Sequence, residues 1–314
     1  MSKEKVPTEL VNRTILEALA NDNVKTAADA ATDYTRIQLR EDSFAFKILP
    51  PEQITPDNLD RDIDERNRVI CELEPDSPGS KWCALQDVPE GEYITGSRYV
   101  IPFALVLTRK YTKTIQELYT YRQDIRKILT DNSIKDGLAA IDGKFIEMCE
   151  AIVTDAPGPG IPHNFTGKVQ WREFAGFTRE NLATAQTMLT KGNAQGKFRL
   201  KNYLMLMNDT TSRELLKFDH DEWGGPGAQD NMVNGLTTDQ IMGLKAVYTI
   251  KDDLVPDGVI YYFTSPEFLG HTMYIDDWTM WMKKEAYFIS MFSYWYGGIG
   301  IGNIAGVAKA VFKP

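Results

Sequence analysis

Histidine and cysteine are scarce in this chain of 314 residues, with three of each. Cys71, Cys83 and Cys149 are odd in number, and their spacing matches no metal-binding pattern. Reduced thiols are expected, with a Cys71–Cys83 bridge across a hairpin as the conceivable exception. His163, His220 and His271 form no HExxH or HxH pair, and no CxxC occurs. The run Asp219-His220-Asp221-Glu222 has the residue types of a metal cluster. Adjacent residues of an extended chain point to opposite sides, so these four do not converge on one ion without a special loop. A solvated turn continuing into Gly224-Gly225-Pro226-Gly227 is the expectation. Ser212 and Ser265 sit in no nucleophile motif. No catalytic residue, metal ligand or cofactor site is assigned, and the chain is not expected to be an enzyme.

Positive charge is also in short supply. There are 35 basic against 44 acidic residues, a net charge of −9. A nucleic-acid reader carries the opposite balance, although lying near DNA without gripping it stays open. Long apolar runs are missing too. The longest, Ala286 to Ile301, is broken by glycines and too short to span a bilayer as a helix. Met1-Ser2-Lys3-Glu4-Lys5 opens on mixed charge and not on an apolar signal region, so synthesis in a cytoplasm is expected. No internal repeat and no low-complexity tract is visible. At 43% hydrophobic and 25% charged, the composition is that of a globular protein of one or two domains.

What is present reads in segments. Residues 8–20 form an amphipathic helix with Thr8 as N-cap and Leu10, Val11, Ile15 and Ala18 at helical spacing. Residues 24–35 are small and polar. Over 36–50 the alternation of Phe44, Phe46 and Ile48 predicts a strand, stopped at Pro50-Pro51. Residues 92–108 are its return. The forty residues between are rich in proline and poor in large apolar groups, which suits a long projecting hairpin ordered from outside its own domain. Within it Val69 to Glu74 alternates like a strand, and Trp82 is costly to leave in water. From Glu52 to Glu92 twelve acids face four bases, a balance of −8.

Residues 109–154 are predicted helical, starting at Thr114, with Ser133 capping a second stretch. Leu138, Ile141, Phe145, Met148, Cys149 and Ile152 make one apolar stripe. The stop at Asp155 to Pro162 is the best domain boundary. Further on, a helix from Thr178 to Lys191 is followed by the apolar strand Tyr203 to Met207, which suits a sheet centre. A short helix capped by Asp209-Thr210-Thr211 and a helical turn at Asp239–Met242 come next. Strands are expected at 244–250, 258–264, 272–276, 278–290 and 304–313. Gly297-Gly298-Ile299-Gly300-Ile301-Gly302 lacks the βαβ context of a dinucleotide loop and is expected to form a tight turn. The aromatic run Tyr287 to Tyr296 has no interleaved bases and is expected to be core.

The order of Asn208-Asp209-Thr210-Thr211, Gly243-Leu244-Lys245-Ala246-Val247, Pro256-Asp257-Gly258 and Asn303 to Ala308 resembles the apical domain of tailed-bacteriophage major capsid proteins. The resemblance implies an α+β fold of the Hong Kong 97 type. It maps an N-terminal arm to 1–35, an extended loop with flanking strands to 36–108, a peripheral domain with a long spine helix to 109–160, and the apical domain to 161–314, whose final strands return beside the spine helix. The implied function is a self-assembling subunit of an icosahedral head, in pentamers and hexamers, enclosing double-stranded DNA. The implied location is the virion, assembled in the host cytoplasm, with no membrane partner. Scaffolding, portal and decoration proteins are the further partners implied. No scaffolding segment is seen ahead of Thr8, so a separate scaffold, or none, is expected. Encapsulin-type compartment shells share this fold and are the alternative; a metal-dependent enzyme at Asp219–Glu222 is the remaining one.

In this family the extended loop lies across an adjacent subunit. That implies inter-subunit contacts for Trp82, and for Glu72, Glu74 and Asp76 against Arg122, Arg126 and Lys127. From Arg109 to Lys144 eight bases face five acids, a balance of +3 that complements the loop.

Overall fold

The computed structural model describes residues 43–61, 67–73, 82, 91, 96–114, 116–117, 125–154, 170–189, 200–215, 240–241 and 243–313. The predicted helix at 8–20, the arm, the boundary at 155–162 and the Asp219–Glu222 run lie outside these residues.

Helix α2, Ile125–Thr154, has 30 residues, about 45 Å at 1.5 Å per residue. Its predicted stripe holds. Leu138, Ile141, Phe145 and Cys149 are buried, and Met148 and Ile152 pack against the same core. Burial pushes the Cys149 thiol well above its ordinary value, which keeps it protonated and unreactive. Ser133 is not a cap, because the helix runs through it. Its hydroxyl is buried and bonds to Thr108 Oγ1 at 3.1 Å and Ser293 Oγ at 3.0 Å. Thr114 does begin a helical turn: it accepts from Glu117 N–H through Oγ1, and its own N–H donates to Glu117 Oε2, the reciprocal pair of a capping box.

Residues 44–48 correct the sequence reading. They form a helical turn, α1 (Phe44–Ile48), and not a strand. Ser43 caps it, and Phe44, Ala45 and Ile48 are buried. Strand β1 (Pro51–Gln53) follows, then β2 (Asp60–Arg61), β3 (Asn67–Leu73), β4 (Ser97–Pro102), β5 (Ala104–Leu107) and β6 (Tyr111–Thr114). Strands β2, β3 and β4 make a three-stranded antiparallel ribbon.

The C-terminal strands also differ from expectation. Strands β12 (Gly270–Glu285) and β13 (Phe288–Ile301) form one long hairpin, with its turn at Ala286 and Tyr287. Strands β1 and β5 flank it, and β6 pairs with β13 as well. The glycines at 297–302 make no turn. Gly297, Gly298 and Gly300 lie inside β13, and a Cβ at Gly302 would sit 2.3 Å from the Tyr99 ring. They are small because the ribbon crosses over the hairpin there. The aromatic run splits by parity: Trp295 is buried, while Phe292, Tyr294 and Tyr296 lie on the opposite face and are half-buried, and Tyr287 and Phe288 are exposed.

The second sheet has six strands in the order β7-β14-β11-β8-β10-β9. Its members are β7 (Trp171–Ala175), β8 (Leu204–Asn208), β9 (Gln240–Ile241), β10 (Leu244–Thr249), β11 (Val259–Phe263) and β14 (Val307–Lys313). Gln240–Ile241 is a short strand where a helical turn was predicted. The strand that closes the chain returns to this sheet, between β7 and β11, while β12 and β13 carry the chain back beside α2. Strand β8 is central and fully buried, which explains its unbroken apolar run. Leu204 and Leu206 face α2, whereas Met205 and Met207 face a second core. Helix α3 (Arg179–Gln186), capped by Thr178, covers that second core with Leu182 and Ala185.

The main core lies where α1, α2 and the two sheets meet. Phe145 packs 5.6 Å from Phe263 and 6.5 Å from Phe44, by ring centroid. A shift of strand register between Asp276 and Thr279 places Trp278 in this core. Its ring fills the notch at Gly137, where a Cβ would lie 2.2 Å from the indole. Gly137→Ala should therefore destabilise the chain by about 1–3 kcal/mol through overpacking. Adding Trp278→Phe should recover part of that loss, read as the midpoint of denaturant unfolding.

Candidate functional site

Three parts of the surface bear on function: the motif cluster at one end of the six-stranded sheet, the ribbon, and the outer face of the long hairpin. The motif residues prove to be turn and cap chemistry. Asn208 caps α4 (Asp209–Glu214), in place of the expected Asp209-Thr210-Thr211, by accepting from Thr210 N–H. Its amide donates to Asp252 Oδ1 at 2.6 Å and to Asp257 Oδ1 at 2.9 Å. Thr211 Oγ1 accepts from Gly258 N–H at 2.9 Å. Asn208 and Thr211 thus join α4 to the turns before and within Pro256-Asp257-Gly258. The cluster holds a sheet end together.

The ribbon is anchored at its base and, among the described residues, open on its outer side. Val69, Ile101 and Phe103 form a small core with Ile54, Leu59, Met273, Ile275 and Tyr296. The next residue out on each strand points away from it, as alternation requires. Ile70 and Val100 are direct cross-strand partners and are 39% and 47% exposed. Glu72 and Arg98 pair across the strands at 3.2 Å, both exposed. Cys71 is a free thiol, so the Cys71–Cys83 bridge is not formed; Cys83 lies outside the described residues. Burial pushes the Cys71 thiol above its ordinary value. Trp82 is fully exposed. Glu74, Asp76 and Arg122 lie outside the described residues, and Arg126 and Lys127 are placed only as members of α2.

The charge contrast between ribbon and helix is smaller than the sequence count. Carried on to Thr154, the span takes in Glu147 and Glu150, so eight bases face seven acids and the balance is +1. Several of these bases also have partners in their own chain. Lys113 lies 3.8 Å from Glu117, and Lys144 lies 2.8 Å from Glu147. The count to Lys144 stopped before the acids of the last helical turns.

The outer face of the hairpin is apolar without a cover among the described residues. Leu107 sits opposite Tyr294, and Trp281 opposite Phe292 at 4.9 Å between rings. Leu105 and Leu107 are more than half the way to the solvent or at its midpoint, 50% and 57% exposed. Among the described residues no group of three or more His, Cys, Asp or Glu is arranged to hold a metal. Among the same residues no helix is long and apolar enough to cross a membrane.

No family model matches the chain, and no curated protein matches it in sequence. Solved structures match it in fold. The mature capsid of bacteriophage PhiM1 superposes with a TM-score of 0.56 at 11% identity, over 87% of each chain. A structure of Mycobacterium phage Bobi gives 0.55 at 12%, over 87% of this chain and 91% of that one. The capsid of a native GTA particle gives 0.54 at 13%, over 85% and 89%. These matches cover 85–87% of the chain, which has the Hong Kong 97 type fold of tailed-bacteriophage major capsid proteins.

Proposed function

We propose that this chain is a major capsid protein, a structural subunit that assembles with copies of itself into an icosahedral head around double-stranded DNA. The observation that carries the reading is a match in fold to phage capsids over 87% of the chain. The surface supports it: an apolar ribbon face, an exposed Trp82 and a bare aromatic sheet face occur on one chain. Exposed apolar patches of this kind mark interaction sites. Two different patches that fit each other make a head-to-tail contact, which closes into rings such as pentamers and hexamers. In this reading residues 1–35 are an arm, 36–108 the extended loop with its flanking strands, and 109–160 the peripheral domain with the spine helix. Residues 161–314 form the apical domain, except that the β12–β13 hairpin sits with the spine helix. The protein works in the virion, is assembled in the host cytoplasm, and has no catalytic activity of its own. A compartment shell of the encapsulin type is less favoured, since the similar structures named above are phage and particle capsids.

The purified chain should form closed shells visible by negative-stain microscopy. A monodisperse monomer at high concentration, under conditions where virions are stable, would overturn the proposal.

Trp82 is proposed to bury its ring against a neighbouring subunit. Trp82→Ala should lower the yield of shells while leaving the melting temperature of the unassembled chain unchanged. Normal yield would remove Trp82 from the interface.

Glu72, Glu74 and Asp76 are proposed to face Arg122, Arg126 and Lys127 of a neighbour. Each exposed pair contributes at most about 1 kcal/mol, and Glu72 would have to exchange its present partner Arg98. The effect is therefore on docking register and rate, repeated around the shell. Assembly should slow as salt rises past about 0.15 M, where screening acts within roughly 8 Å. The double variant Arg122→Glu/Arg126→Glu should assemble more slowly and lose that salt dependence. If it assembles normally with the dependence intact, Arg122 and Arg126 are not the bases that the loop acids face.

A further inference from the structure

Residues 44–48 present a contradiction. Phe44, Phe46 and Ile48 alternate with Ala45 and Lys47, which is the pattern of a strand. The segment is nevertheless a helical turn. Five residues are too few to hold a helix by themselves, because nucleation costs more than one turn returns. Something outside the segment selects the helix.

Beside the core packing of Phe44, Ala45 and Ile48, the polar group that acts on the turn is Asp142, from the middle of α2 and almost one hundred positions away. Its carboxylate is fully buried. Oδ1 accepts from Ser43 Oγ at 2.7 Å and from Ala45 N–H at 3.0 Å. These are the hydroxyl and an amide at the start of the turn. Ser43 Oγ in turn accepts from Phe46 N–H at 3.3 Å. Oδ2 accepts from Lys251 Nζ at 2.5 Å, and that ammonium also lies 5.7 Å from the Phe44 ring. An anion at a helix N-terminus satisfies amides that have no partner within the helix. Here the anion comes from another element and is held in place by a cation from the turn after β10.

We propose that the Asp142–Lys251 pair is a conformational selector for residues 44–48, holding them helical where the local sequence favours an extended chain. A buried ion pair seldom adds stability over apolar groups of the same size, and its best-attested use is to specify one arrangement among several. The two forms differ in length. Five residues span about 7.5 Å as helix and about 16.5 Å as strand, so the separation of Ser43 from Leu49 would change by roughly 9 Å. The selector does not depend on the shell reading, because it is measured on a single chain.

The test reads the backbone conformation directly in the full-length chain. The 13Cα shifts of Ala45 and Lys47 lie downfield of random coil in a helix and upfield in a strand. They are measured by solution NMR if the chain is unassembled, or by magic-angle spinning if it is in shells. In the unaltered chain both should be downfield. In Asp142→Ala, and in the near-isosteric apolar variant Asp142→Leu/Lys251→Met, which removes the acceptor and the cation together, both should move upfield, while Leu206 and Tyr261 keep their shifts. Retention of downfield shifts at Ala45 and Lys47 in the double variant would overturn the proposal. So would loss of shift dispersion throughout the double variant, which would make the pair a general support of the fold. If Asp142→Ala alone unfolds, the double variant decides the matter by the same criterion.

Discussion

The structure depends on one helix being covered on several sides at once. Helix α2 lies between the long hairpin and the six-stranded sheet, and successive residues along it meet different partners. Gly137 receives the Trp278 ring from the hairpin. Phe145 meets Phe263 of β11 and Phe44 of α1. Glu150 accepts from Tyr261 and from Lys309 at 2.7 Å. Residues three and four apart share a face, whereas those between point elsewhere. A single helix of about 45 Å can therefore act as the common wall of two sheets. Had either sheet been absent, part of its apolar stripe would lie in water.

Polar groups inside this wall fix the relative placement of the elements. Ser133, Thr108 and Ser293 form a closed set of buried hydroxyl contacts between α2, the residue after β5, and β13. Asp142 ties the helix to α1 and to Lys251. Burial together with the Glu150 hydrogen bond keeps the Tyr261 phenol protonated, its pKa raised above the ordinary value. Buried polar groups without partners are costly, so a sliding of α2 by one residue would leave several of them unmet at once. Apolar packing alone tolerates such slips more readily.

The surface follows a different rule from the interior. The ribbon uses its inward residues, Val69 and Ile101, to close a small core, and offers Ile70 and Val100 to the outside. Strand alternation makes this two-sidedness unavoidable once one face is anchored. At the hairpin the same parity sends Trp295 and Ile289 inward and leaves Phe292 and Tyr294 half open. Individually weak contacts of this sort matter in a repeating assembly, where each is multiplied by the number of copies.

The sequence by itself determined the elements whose pattern is long or whose burial is complete. The stripe from Leu138 to Ile152, the apolar run of β8, the cap at Thr178 and the ribbon alternation at 69–73 all appear as read. Tertiary structure decided the rest. Residues 44–48 became helix because a carboxylate from position 142 caps them. Ser133, a capping residue type, became a buried bridge because Thr108 and Ser293 stand opposite. The glycines at 297–302 stayed in a strand because Tyr99 and Ile101 cross over them. The hairpin turned at Ala286, in the left-handed region at φ 52°, and not at those glycines. In these cases local preference is worth a fraction of a kcal/mol up to about 1 kcal/mol per residue, whereas a buried contact made or missed is worth about 1–3 kcal/mol, and the partners lie from 25 positions away, for Thr108 and Ser133, to well over one hundred, where no local pattern can announce them.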